Sequence, residues 1–133
     1  MNKMIHYTIL LLLFFFDPEI FVPFAFVALL NVFIKHNICP WLVEEYPWME
    51  PYLRRPYSSD FGMPSGHCQV YWAFITFAVP YYQLSTVLAA ALILFGFCVA
   101  WQRLEDDQHN EEQVLVGSLL GVVCGTYIHY HYG

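Results

Sequence analysis

Apolar residues fall in long blocks at 4–16, 20–34, 67–80, 84–101 and 114–130, separated by Asp17-Pro18, Pro40, the stretch 80–83 and the polar run 102–113. Such blocks predict helices, because an open strand leaves backbone groups unpaired in lipid. None reaches the roughly 20 clean residues that a bilayer core of about 30 Å asks for, so flanking aromatic and polar residues must lengthen them. The expectation is an all-α, integral-membrane, multi-pass bundle of about five transmembrane helices, or four if the first block does not span. Residues 1–133 form a single membrane-embedded domain in this reading.

Counting spans fixes the topology. The blocks 67–80 and 84–101 carry the chain across the membrane and back, so residues 35–66 and 102–113 share one face. With the first two blocks also spanning, Lys3, Lys35, Arg54, Arg55 and Arg103 gather there. The positive-inside rule names that face cytoplasmic. The same face holds every acidic residue except Asp17 and Glu19, so charge alone does not set the orientation.

Composition agrees with the pattern: 59% hydrophobic and 12% charged residues, against about 25% charged in soluble domains. The net charge of −6 comes from acids clustered in two connecting segments rather than one patch, and five Lys and Arg are too few for nucleic-acid binding. Cys39, Cys68, Cys98 and Cys124 are far apart, and no close-spaced Cys or Cys/His pair suggests a disulfide or a metal site. The opening "MNKMIHYTILLLLFFF" is built like a signal peptide, but "DPE" follows instead of a small-residue cleavage site, so retention is expected. Trp41, Tyr46, Trp48 and Tyr52 between the second and third blocks suit a segment in the membrane interface.

Candidate chemistry collects on the shared face. "MPSGH" runs into an apolar block, which puts Ser65 and Gly66 at a helix N-terminus, where free N–H groups and the helix dipole favour an anion. Gly66 allows close approach to the backbone, and His67 is placed to protonate a departing oxygen. The bland alternative makes Ser65 an N-cap and His67 an interfacial polar residue. Arg54 and Arg55 lie upstream. On the returning segment, Arg103 and His109 are six apart and His109 and Gln113 four apart. On a helix, the Gln113 side-chain oxygen would accept from one ring nitrogen of His109 and free the other to attack. Singly, Arg103 reads as a snorkelling charge and His109 as a loop histidine. Together, arginines, a helix N-terminus and two histidines describe a phosphate site with a nucleophile and an acid. Glu105, Asp106, Asp107, Glu111 and Glu112 read as a solvated loop rather than a metal site, and should raise the His109 pKa. Asn31 and Thr76 should bond to neighbouring helices. His129 and His131 read as interfacial.

These residues resemble the type 2 phosphatidic acid phosphatase superfamily of integral-membrane lipid phosphatases, whose core is shared with vanadium haloperoxidases. Its pattern is a Lys six residues before Arg-Pro, then Pro-Ser-Gly-His, then Ser-Arg, five residues, His, three residues and Asp. Arg55-Pro56, Pro64-Ser65-Gly66-His67, Arg103 and His109 match. The resemblance implies a metal-independent, cofactor-free, two-step phosphohydrolase acting on a lipid phosphate or diphosphate. His109 would form a phosphohistidine and His67 would serve the leaving group, with Arg55, Arg103, Ser65 and Gly66 on the phosphoryl oxygens. The chain departs at Trp48, where the family has its Lys; at Gln102, in place of Ser; and at Gln113, in place of the orienting Asp. Arg54 is the expected substitute for the missing Lys, and without the Asp His109 should be less basic. Gln113 with the Gly62–Gln69 arrangement looks like the dolichyl-diphosphatase branch, which points to a polyprenyl diphosphate. The alternatives are a broad phosphatidate phosphatase and a degenerate, non-catalytic binder of lipid head groups. A homodimer is possible in this reading, with Gly117 to Gly121 as the nearest small-residue face.

Overall fold

A computed structural model describes residues 18–107 and 109–132. The first apolar block, 4–16, lies outside the described residues. Helix α1 (Pro18–Phe33) passes through a π turn (Ile34–Ile38) directly into α2 (Cys39–Glu45). A short 3₁₀ turn (Pro47–Met49) and α3 (Glu50–Leu53) follow, then a loop, α4 (Gly66–Tyr81), α5 (Thr86–Glu105) and α6 (Glu111–Tyr132).

Pro40 does not break the second block as expected. A proline inside an α-helix clashes with the carbonyl four residues back. Here the turn before it is wide, with the Cys39 N–H bonding to the Ile34 oxygen five residues back, and Pro40 sits at the start of α2. The π turn relaxes the crowding that a proline would create, so the helix runs on.

Three helical stretches among the described residues are long and apolar enough to cross a membrane: Val22–Glu45, Thr86–Glu105 and Glu111–His131. Helix α4, at 16 residues, is about 24 Å long by the α-helical rise. It is the core of the bundle, and His67, Gln69, Val70, Ala73 and Phe77 on it are all buried. Its neighbours turn apolar side chains outward instead. On α5 only Gly96, Val99 and Arg103 are buried, while Leu94, Phe95, Phe97 and Trp101 are exposed. An apolar exterior around a partly polar centre inverts the soluble arrangement.

Helices α4 and α6 pack most extensively. Gly117, Gly121 and Gly125 of α6 face Ser65, Gln69 and Ala73 of α4, both series stepping by four. A Cβ at Gly117 would lie 2.6 Å from the Ser65 oxygen, and one at Gly121 or Gly125 would strike the carbonyl of Gln69 or Ala73. The Gly117–Gly121 face is thus used within the chain, closing α6 onto α4, rather than left open to a second copy. Asn31 does bond to neighbouring elements, donating to the Pro64 carbonyl and the Gln69 side-chain oxygen, each at 2.9 Å.

Candidate active site

The segments 35–66 and 102–113 meet, as the span count requires. The Ser65 N–H donates to the Gln113 carbonyl at 3.1 Å, and the His109 N–H donates to the Arg103 carbonyl at 3.3 Å. Arg103 ends α5, and His109 and Gln113 straddle the start of α6. Ser65 caps α4, its hydroxyl accepting from the Cys68 N–H at 3.4 Å. Ser65 is fully buried and His67, in the first turn, nearly so.

Asn110 and Gln113 form a reciprocal cap. The Gln113 N–H donates to Asn110 Oδ1 at 2.9 Å, and the Asn110 N–H donates to Gln113 Oε1 at 3.2 Å. Asn-x-x-Gln before an apolar run is a capping box, which explains why α6 begins here. The same Gln113 oxygen lies 3.2 Å from His109 Nδ1, and the Gly62 carbonyl lies 2.9 Å from it. A carbonyl can only accept, so Nδ1 carries the hydrogen and Nε2 keeps its lone pair. Gln113 Nε2 donates to the carbonyls of Tyr52 at 3.0 Å and Arg54 at 2.7 Å. A carboxylate at this position would have no hydrogen to donate, so the amide binds both the histidine and the arginine loop.

Gly62 is needed for close approach. A Cβ there would stand 2.5 Å from Gln113 Oε1 and 2.9 Å from Arg55 Cγ. Arg55, half-buried, is held through its N–H to the Asp60 carbonyl at 2.7 Å. Burial lowers the Arg55 pKa, with Asp60 opposing, and the guanidinium stays cationic. Arg103 is 4% exposed, and its Nε is buried with no hydrogen-bond partner among the described residues. The charges of Arg55 and Arg103 repel one another. Two cations held close, one with an orphaned donor, describe a cradle for an anion.

Burial pushes the His109 pKa down to about 3, with repulsion from Arg55, Lys35 and Arg103 adding to it and the Gln113 hydrogen bond opposing. The expected upward push from the acidic segment is absent, since Glu105, Asp106, Asp107, Glu111 and Glu112 are exposed to solvent. The structure therefore presents His109 as a neutral imidazole with an unprotonated Nε2.

Arg54, the expected substitute for the family lysine, is directed elsewhere. It pairs with Glu50 at 2.9 Å, donates to the Ser59 carbonyl, and lies over the Phe61 ring at 4.4 Å. Trp48 is 69% exposed on the surface turn. The cation that acts on His109 alongside the two arginines is Lys35, to which sequence spacing assigns no site role. Its signal was an isolated basic residue midway between Asn31 and Cys39, four residues from each.

A family model described as the PAP2 superfamily matches residues 7–133, and the chain belongs to that superfamily. Among curated proteins, it is 32% identical over 81 residues to a dolichyldiphosphatase of Saccharomyces cerevisiae (strain ATCC 204508 / S288c), covering 51% of this chain and 32% of that protein. The chain thus spans about a third of that relative's length. No solved structure matches.

Proposed function

We propose that this protein is a multi-pass membrane phosphatase that removes phosphate from a lipid phosphate or diphosphate, with a polyprenyl, dolichyl-type diphosphate as its substrate. The observation that carries the reading is the His109 imidazole, held by its Nδ1 hydrogen on Gly62 and Gln113 beside Arg55 and Arg103. Membership of the PAP2 superfamily and the likeness to a dolichyldiphosphatase support it.

In this mechanism the His109 Nε2 lone pair attacks phosphorus as the bond to the leaving oxygen breaks, and His67 gives its proton to that oxygen. Arg55, Arg103 and the first-turn amides at Gly66 hold the phosphoryl oxygens. Ser65 fixes the start of α4 through its cap. Water, giving a proton to the now neutral His67, then opens the phosphohistidine, releasing phosphate and restoring His109. No step calls for a metal or an organic cofactor. The lipid tail lies against an apolar groove of about 800 Å³ between α1 and α6, lined by Phe26, Leu30, Leu120 and Tyr127 among others.

Purified protein in detergent is expected to release inorganic phosphate from a prenyl diphosphate in the presence of a chelator. His109→Ala should lower kcat by at least about 10³-fold while leaving the melting temperature near that of the wild type. Equal activities in the two proteins would leave a non-catalytic head-group binder as the better reading. Preference for phosphatidate over prenyl diphosphate would favour a broad phosphatidate phosphatase.

A further inference from the structure

We infer that Gln69 joins the apolar groove to the anion site, as a positioning residue through which a long lipid tail raises kcat; the inference deepens the lipid-phosphatase reading above and rests on it.

Gln69 is fully buried, one turn inside α4 from Ser65. Its side chain touches both walls of the groove. Gln69 Nε2 donates to the Val27 carbonyl of α1 at 3.1 Å, and the Cys124 thiol of α6 is hydrogen-bonded to the same amide. Val27 and Cys124 both line the groove. The two walls touch each other far less than each touches α4. A tail lodged between α1 and α6 therefore bears on contacts that converge on one glutamine.

The other end of that amide leads to the site. Gln69 Oε1 accepts from Asn31 Nδ2 at 2.9 Å, and the second Asn31 hydrogen goes to the Pro64 carbonyl, also at 2.9 Å. Backbone carbonyls only accept, so the bonds to Val27 and Pro64 fix the orientation of both amides. Asn31 Oδ1 then faces Gly66, where an added Cβ would stand 3.2 Å from it. Pro64 and Gly66 flank Ser65, the cap of α4. The chain from Val27 through Gln69 and Asn31 to Pro64 thus runs from the groove to the helix start that seats phosphoryl oxygens in the mechanism above. Buried in a membrane bundle, these groups have no water to turn to, so the chain holds together when one end shifts.

The groove also ends at this bridge. Leu30 of its α1 wall directly precedes Asn31, and Leu120 of its α6 wall directly precedes Gly121, which packs on the Gln69 carbonyl. From Leu30 to Val22 the α1 wall runs eight residues, about 12 Å. A one-isoprene tail stays near Leu30 and Leu120, whereas a four-isoprene tail passes between Val27 and Cys124. Contacts made by that longer tail, remote from the reacting phosphorus, set the start of α4 against His109, Arg55 and Arg103. Remote contacts used in this way raise kcat instead of only lowering KM. A misplacement of about 1 Å at the reacting centre costs about 10²-fold in rate, so a small adjustment of α4 is enough.

Steady-state hydrolysis of dimethylallyl diphosphate and geranylgeranyl diphosphate by the detergent-purified protein tests the assignment, because the two share an allylic diphosphate and differ only in the tail. The wild type should turn over the longer substrate with a kcat at least tenfold higher. Gln69→Met, similar in size but with no hydrogen to give Val27, should bring that ratio to within threefold of unity. Cys124→Ala should lower the ratio at least threefold, and Cys124→Ser, which keeps a hydrogen-bonding group, should preserve it; this pair decides if Gln69→Met does not fold. An equal fall in kcat for both substrates, with the ratio kept, would make Gln69 a packing residue and overturn the inference. So would a wild-type ratio near unity or a tail effect confined to KM, and in each case hydrolysis itself leaves the phosphatase reading in place. A wild-type protein that hydrolyses neither diphosphate would overturn both.

Discussion

Gln113 bears four hydrogen bonds through one side chain, accepting from Asn110 and His109 and donating to Tyr52 and Arg54. The i, i+4 spacing made the histidine contact legible in the sequence. The two donations were not legible, because their acceptors are backbone carbonyls about sixty positions away. Gln113→Glu keeps an acceptor for His109 but leaves both carbonyls without their donor, at a cost of about 1–3 kcal/mol read by thermal denaturation. It also sets a negative charge against the imidazole, so the His109 pKa rises and the acid limb of the pH–rate profile moves to higher pH. A profile that stays in place would show that Gln113 does not govern the nucleophile's protonation. The depressed His109 pKa has a stability consequence of its own. Between its unperturbed value near 6.5 and the native value of about 3, the unfolded chain takes up a proton that the native protein refuses. Stability from this group is complete above pH 6.5 and falls as pH drops toward 3, by up to about 1.4 kcal/mol per pH unit. Melting temperatures between pH 7 and pH 5 should therefore decline more steeply for the wild type than for His109→Gln.

At the scale of elements, most of the helices followed from the apolar blocks, and their starts from residues that cap. Ser65 and Ser85 each accept from the N–H three residues on, and Asn110 opens α6. The run of α1 into α2 across Pro40 was not legible, since a π turn is a response to crowding rather than a residue preference. Pairing of α6 with α4 was half legible: small residues at four-residue steps announce a close helix contact, but not its partner. Gly121→Ala would push a methyl into the Gln69 carbonyl. It is expected to cost about 1–3 kcal/mol and to reduce the proposed phosphatase activity by displacing Ser65 and His67. Leu119→Ala on the exposed face, where Leu119 is 58% exposed, should change the melting temperature far less. Similar shifts for the two variants would argue against the packing seen between α4 and α6.

For the whole molecule, the topology yields a labelling prediction. Ser58, Glu112 and Gln83 are all exposed, the first two beside the candidate site and the third in the turn between α4 and α5. In sealed vesicles of uniform orientation, on a background with the four native cysteines replaced, Ser58→Cys and Glu112→Cys should react with an impermeant maleimide from one side. Gln83→Cys should react from the other. Reaction of all three from the same side would remove the crossing of α4 and α5 and the bundle with it. The block pattern by itself determined that the chain forms apolar helices and that its arginines, His67, His109 and most of its acids share one end, because burial in lipid and helix counting depend only on composition and order. Tertiary structure alone decided where the basic side chains are directed. Arg54 is adjacent to Arg55 in sequence yet turned to Glu50, whereas Lys35 is distant in sequence and its charge still acts on His109. Contacts of that kind depend on the rotation of one helix against another, to which the linear spacing of residues is blind.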